Sequence, residues 1–132
     1  MRRIAILVCL LFCINTFVFA DGPDYGQSQN PNARYRLFPT QNMWTFLKLD
    51  TMTGKIWQVQ YSTDDSVPRF EMDLNPKSLI IPALQPAVEG RFTLYPTQDK
   101  YAFILLDQIN GATYQVQWNV DKKKRHLLPI SK

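Results

Sequence analysis

Residues 34–61 are written a second time at 91–118, and this duplication narrows the possible folds more than any other feature. With a shift of 57, RYRLFPTQNMWTFLKLDTMTGKIWQVQY lies over RFTLYPTQDKYAFILLDQINGATYQVQW without a gap, identical at twelve of twenty-eight positions. Most of the other positions change like for like, as in Phe38/Tyr95, Trp44/Tyr101, Leu47/Ile104, Trp57/Tyr114 and Tyr61/Trp118. Such a repeat is one supersecondary unit used twice, with the copies packed against each other.

Each copy alternates with the two-residue period of strands and is rich in the branched and aromatic residues that suit them. Strands are expected at Tyr35–Phe38, Met43–Asp50 and Lys55–Ser62, and again at Phe92–Tyr95, Lys100–Asp107 and Ala112–Asn119. A fourth element follows each copy. RFEMDLN at 69–75 and RHLLPIS at 125–131 match after a one-residue slip, with Phe70, Met72 and Leu74 over His126, Leu128 and Ile130. Pro129 confines the second version to a sheet edge. Within each hairpin, pairing Asp50 with Lys55 sets Lys48 against Trp57, Phe46 against Val59 and Trp44 against Tyr61. The same register in copy two sets Leu105 against Tyr114, Phe103 against Val116 and Tyr101 against Trp118. This aromatic side reads as core, with Leu47 against Gln58 and Ile104 against Gln115 on the other.

The fold class is therefore all-β. Two tandem antiparallel β-meanders, roughly six to eight strands in all, are expected to be related by a pseudo-twofold axis and packed as a sandwich or small barrel. Repeat one spans 34–75 and repeat two 91–131, together one domain over 34–132. Between them, Pro68, Pro76, Pro82 and Pro86 exclude long helices, and Leu79-Ile80-Ile81 is a candidate extra strand.

The first twenty residues read as a cleaved secretory signal: Arg2 and Arg3, an apolar run from Ile4 to Ile14, then Val18-Phe19-Ala20. The run is too short to span a membrane. Cleavage lowers the formal net charge from +4 to +2 and removes Cys9 and Cys13, leaving no thiol for disulfides, catalysis or zinc. A cysteine-free exported chain suits a bacterial periplasm or extracellular surface. Residues 21–33 (DGPDYGQSQNPNA) are expected to form a flexible tail. Outside the run 122–125 the chain lacks a broad basic face for nucleic acid, and that run reads as a solvated loop.

The pattern Leu47-x-Leu49-Asp50-x-x-Thr53-Gly54-x-x-Trp57 resembles a hairpin of small exported bacterial β-repeat proteins of uncharacterised function. It is also similar to the blade repeats of quinone-type β-propellers, in which an Asp-x-x-x-Gly turn joins two strands. The likeness covers about a dozen residues per copy, and the second copy has Asn110 and Tyr114 where the first has Thr53 and Trp57. It implies a turn geometry and carries no cofactor-binding residues. Two copies fall short of the four or more blades that close a propeller.

Catalytic apparatus is sparse. His126 is the sole histidine, no metal-ligand spacing or nucleophile motif is present, and no cofactor is expected. Asp50 and Asp107 match between copies; they serve either as turn residues or as paired carboxylates of an envelope-polymer hydrolase or lyase. Pro39-Thr40-Gln41 and Pro96-Thr97-Gln98 are identical, so they either form symmetry-related ligand contacts or simply satisfy their own loop amides. Gln58, Gln60, Gln115 and Gln117 line one face of the third strands. The expected protein is an exported non-enzymatic binding module for a glycan, peptide or protein of the cell envelope. Its pseudo-symmetric site would use Gln41, Gln58, Gln98 and Gln115. Edge-strand pairing into a structural homo-oligomer is the remaining reading.

Overall fold

The computed structural model describes residues 30–131, so the signal-peptide reading and residues 21–29 of the expected tail lie outside the described residues. The last residues of that tail turn back and dock: Ala33 N donates to Asn30 O, and Thr51 Oγ1 donates toward Ala33 O at 2.8 Å.

Eight strands form two four-stranded antiparallel meanders. The first sheet holds β1 (Tyr35–Pro39), β2 (Thr45–Asp50), β3 (Ile56–Gln60) and β4 (Phe70–Asn75). The second holds β5 (Phe92–Pro96), β6 (Ala102–Asp107), β7 (Thr113–Gln117) and β8 (His126–Pro129). The sheets form a two-layer sandwich without barrel closure. Every cross-strand pair expected within the strands is present, Lys48 with Trp57 and Leu105 with Tyr114 among them. The fourth strands pair as the one-residue slip requires, Gln58 with Met72 and Gln115 with Leu128. A bulge opposite Ile56 and Trp57 lets consecutive Leu74 and Asn75 both be buried.

The relation between the sheets departs from a twofold. A twofold axis joins equivalent faces, but here non-equivalent faces meet. In the first sheet Phe38, Leu47, Leu49, Ile56 and Gln58 are buried. In the second the buried set is Phe92, Leu94, Phe103, Leu105, Val116 and Trp118, whose counterparts Tyr35, Leu37, Phe46, Lys48, Val59 and Tyr61 lie on the outside of the first. Leu47 is 0% exposed and its counterpart Ile104 37%; Leu94 is 3% exposed and its counterpart Leu37 48%. The copies are thus stacked front to back. Strand β4 lies beside β8 and β2 beside β5. The aromatic side is core in the second copy only, because the central strands carry apolar residues on both faces and alternation alone does not say which turns inward.

The connector does not form the extra strand expected at Leu79-Ile80-Ile81. It folds over the turn end of the first sheet, where Leu79 N donates to Thr53 O at 2.7 Å and Ile80 enters the core. Leu79 lies against Gly54, whose φ of +78° the tight turn requires. The chain then joins β5 to the end of β2: Phe92 N donates to Thr51 O at 2.9 Å and Gly90 N to Thr51 Oγ1 at 2.9 Å. The basic run forms an exposed 3₁₀ turn at Lys122–Lys124, capped by Asp121.

Candidate functional site

At the end of the sandwich opposite the Asp50 and Asp107 turns, the two Pro-Thr-Gln loops flank one cleft of about 680 Å³. The loops are built alike. Thr40 Oγ1 donates to Thr45 O at 2.8 Å, and Thr97 Oγ1 to Ala102 O at 2.8 Å. Asn42 Oδ1 accepts from Trp44 N at 3.0 Å, and Asp99 Oδ1 from Tyr101 N at 2.9 Å. The threonines and the Asn/Asp pair are therefore occupied in holding the loops, which accounts for their repetition. Aromatic pairs fix the neighbouring strand ends, Trp44 with Tyr61 at 5.3 Å and Tyr101 with Trp118 at 5.0 Å between centroids.

The glutamines are not held in this way. Gln41 lines the cleft, while Gln98 is exposed at the matching loop and is not part of the lining. Neither side chain makes a hydrogen bond among the described residues. The exposed lining surface is mostly apolar (Phe38, Met43, Phe46, Tyr61 and Phe103 among its residues), with Thr40, Asn42, Thr45, Thr97, Asp99 and Lys100 as further polar members. A cavity of this size, with a mainly apolar surface and polar groups interspersed, is of the kind that takes small ligands or a peptide side chain.

The other two expected site residues lie elsewhere. Gln58 is 1% exposed, and its Oε1 accepts from Asn119 N at 3.2 Å across the sheet–sheet interface. Gln115 is exposed on the far side of the second sheet. Front-to-back stacking separates them, so the four glutamines do not converge. Sequence reasoning missed Met43, Asn42, Asp99 and Lys100. Their signal was present, since all four directly follow a repeated Pro-Thr-Gln triplet.

At the opposite end, both aspartates organise turns. Asp50 Oδ1 accepts from Met52 N at 3.0 Å, and Asp107 Oδ1 accepts from Ile109 N at 2.9 Å. Each also faces an arginine from the first position of its repeat. Arg34 lies 3.4 Å from Asp50 and is half-exposed, whereas Arg91 grips Asp107 with Nε and Nη2 at 2.8–3.1 Å, both side chains buried. Arg91 Nη1 also donates to Pro86 O at 2.7 Å. Burial alone would raise the Asp107 carboxyl. The Arg91 hydrogen bonds, the Ile109 and Asn110 amides and the Arg91 charge together outweigh it, so its pKa lies below the ordinary value. Arg34 is raised, first by its hydrogen bond to Asp50.

On the outer face of the first sheet, Lys48 lies 4.9 Å from the Trp57 ring centroid and pairs with Glu71, an exposed cation–π contact of about 0.5–1 kcal/mol. Among the described residues no group of three or more His, Cys, Asp or Glu is placed to hold a metal ion, and no helix is long and apolar enough to cross a membrane.

No family model, curated protein or solved structure matches this chain.

Proposed function

We propose that this protein is an exported, non-enzymatic binding module whose ligand occupies the cleft between the two Pro-Thr-Gln loops. One observation carries the reading: the duplicated loops, far apart in sequence, frame a single cleft. The apolar lining suits an aromatic or aliphatic side chain of a peptide segment, and the Gln41 amide, with a donor and an acceptor, suits the adjoining main chain. Export rests on the signal-like residues 1–20, which place the ligand in the cell envelope or outside it.

The carboxylate alternative draws less support. A general acid at neutral pH needs a raised pKa, whereas Asp107 is shifted downward and has both oxygens engaged. Asp50 is likewise tied to its own turn.

Binding is tested on peptide and glycan arrays, followed by calorimetry of the best peptide hit. Met43→Glu puts a charge on the apolar lining at a residue 65% exposed, so folding is spared. It is expected to weaken binding at least about tenfold, near 1.4 kcal/mol, with Gln41→Ala producing a smaller loss. Unchanged affinity in both variants overturns the cleft as the site. Binding confined to glycans overturns the peptide assignment while leaving the cleft in place.

A further inference from the structure

The interface between the sheets joins two different surfaces, and the molecule displays each of them a second time, unpaired. The receiving surface in the first sheet is made by Phe38, Leu47, Leu49, Ile56, Gln58 and Leu74. In the second sheet the same repeat positions hold Tyr95, Ile104, Leu106, Thr113, Gln115 and Ile130, and they face outward. Five of these six exchanges keep an aromatic, an aliphatic or the glutamine in place, and the β8 residue Leu128 replaces Met72. Tyr95, Ile104, Leu128 and Ile130 are exposed there.

The entering surface is likewise repeated. Phe92, Leu94, Phe103, Tyr114, Val116 and Trp118 of the second sheet enter the interface. Their counterparts on the outer face of the first sheet are Tyr35, Leu37, Phe46, Trp57, Val59 and Tyr61. The exceptions are charged: Lys48 stands for Leu105, and Glu71 and Asp73 for Leu127 and Pro129. Glu71 and Asp73 lie on edge strand β4, where a polar rim is normal for an interface, and Lys48 arrives already paired with Glu71.

We infer that the outer face of the second sheet receives the outer face of the first sheet from another copy of this chain, continuing the internal stacking head to tail. The cross-interface hydrogen bonds supply a template. Gln58 Oε1 accepts from Asn119 N, and Thr51 O accepts from Phe92 N. The corresponding groups at the new junction are Gln115 with Ser62, and Gln108 O with the Tyr35 amide. Gln115, exposed and with no side-chain hydrogen bond among the described residues, is thereby assigned the role that Gln58 fills internally. A contact between two different surfaces is heterologous, and it grows until a ring closes or a fibre forms.

The experiment is sedimentation velocity of the purified protein over a wide concentration series, with two face-blocking variants at exposed residues. Leu37→Glu blocks the entering face and Ile104→Glu the receiving face. Leu128→Glu repeats the second block should circular dichroism show Ile104→Glu misfolded. The wild type is expected to grow with concentration beyond two chains, and each variant alone to sediment as one chain. An equimolar mixture of the two is expected to form one-to-one dimers and stop, because one intact face of each kind remains. A wild type monomeric throughout overturns the inference. So does a Leu37→Glu variant that still associates while Ile104→Glu does not, which marks a twofold contact of second-sheet faces. Undiminished association of both variants, the result expected of edge-strand pairing, overturns it as well.

Discussion

Leu47 and Ile104 occupy the same position of the repeat, each on the second strand of its sheet and each opposite a glutamine, yet one is sealed and the other faces solvent. Lys48 and Leu105, the next residue in each copy, show the reverse. Backbone pairing is the same in both sheets, so register does not determine which face is dry. What decides it is the neighbour: the first sheet has one only on its Leu47 side, the second only on its Leu105 side. A unit stacked front to back needs two faces able to be buried, and the outer face of the first sheet keeps its apolar residues beside Lys48, which is paired with Glu71 of the edge strand.

The comparison is challenged most severely at the two aspartates. Asp107→Asn leaves the Arg91 charge buried without its counter-ion and is expected to cost about 3–5 kcal/mol of unfolding free energy. Asp50→Asn, opposite a half-exposed arginine, is expected to cost about 1 kcal/mol. Urea unfolding of both variants checks this, and equal losses would mean the two turns are energetically alike. The same pair gives a pH signature. Because the Asp107 pKa is depressed in the folded state, the unfolded chain takes up the proton first as pH falls. Its contribution is complete above the unfolded value of about 3.9 and is lost as pH drops through the lower folded value. Midpoints measured from pH 6 downward are expected to fall in that acid range, less steeply in Asp107→Asn.

Next in size are the crossed alanine substitutions. Leu47→Ala and Leu105→Ala each empty a sealed core position and are expected to cost about 2–5 kcal/mol. Their repeat counterparts Ile104→Ala and Lys48→Ala are expected to stay within about 1 kcal/mol in dilute protein. Were the copies related by a twofold, the costs would match at equivalent positions, so the four values from one denaturation series distinguish the two arrangements.

The smallest contrast is in the turn glycines. Gly54 and Gly111 have φ of +78° and +76°, so alanine is strained at either, by about 1–2 kcal/mol. A Cβ at Gly54 would also meet Leu79 Cδ1 at 2.7 Å, whereas Gly111 has open space. Thermal melts are expected to place Gly54→Ala about 1 kcal/mol below Gly111→Ala.

The repeat made the hairpins, their register and even the one-residue slip of the fourth strands legible, because each depends on local alternation and turn chemistry. The stacking direction was not legible. Strand β6 reads AFILLD, apolar on both faces, and no local pattern shows whether Phe103 and Leu105 or Ile104 and Leu106 meet the partner sheet. The Arg91–Asp107 grip went unread although both residues recur in the other copy, since a pair sixteen residues apart becomes neighbours only once β5 and β6 are paired. Gln41 lies in the lining of the cleft between the loops. Gln58 lies outside it, because its burial follows from the same stacking direction.

The cleft forms where a Pro-Thr-Gln loop of one sheet meets that of the next, and this position has a consequence for ligands that are themselves repetitive. In a head-to-tail stack, Pro96–Gln98 of one chain meets Pro39–Gln41 of its successor, as Pro39–Gln41 meets Pro96–Gln98 within the chain. Each new junction then forms another groove of the same design, so the stack becomes a row of evenly spaced sites. A polymeric ligand spanning several of them gains avidity, by about 10²–10⁴-fold over one groove when its repeat matches the spacing, without any new contact.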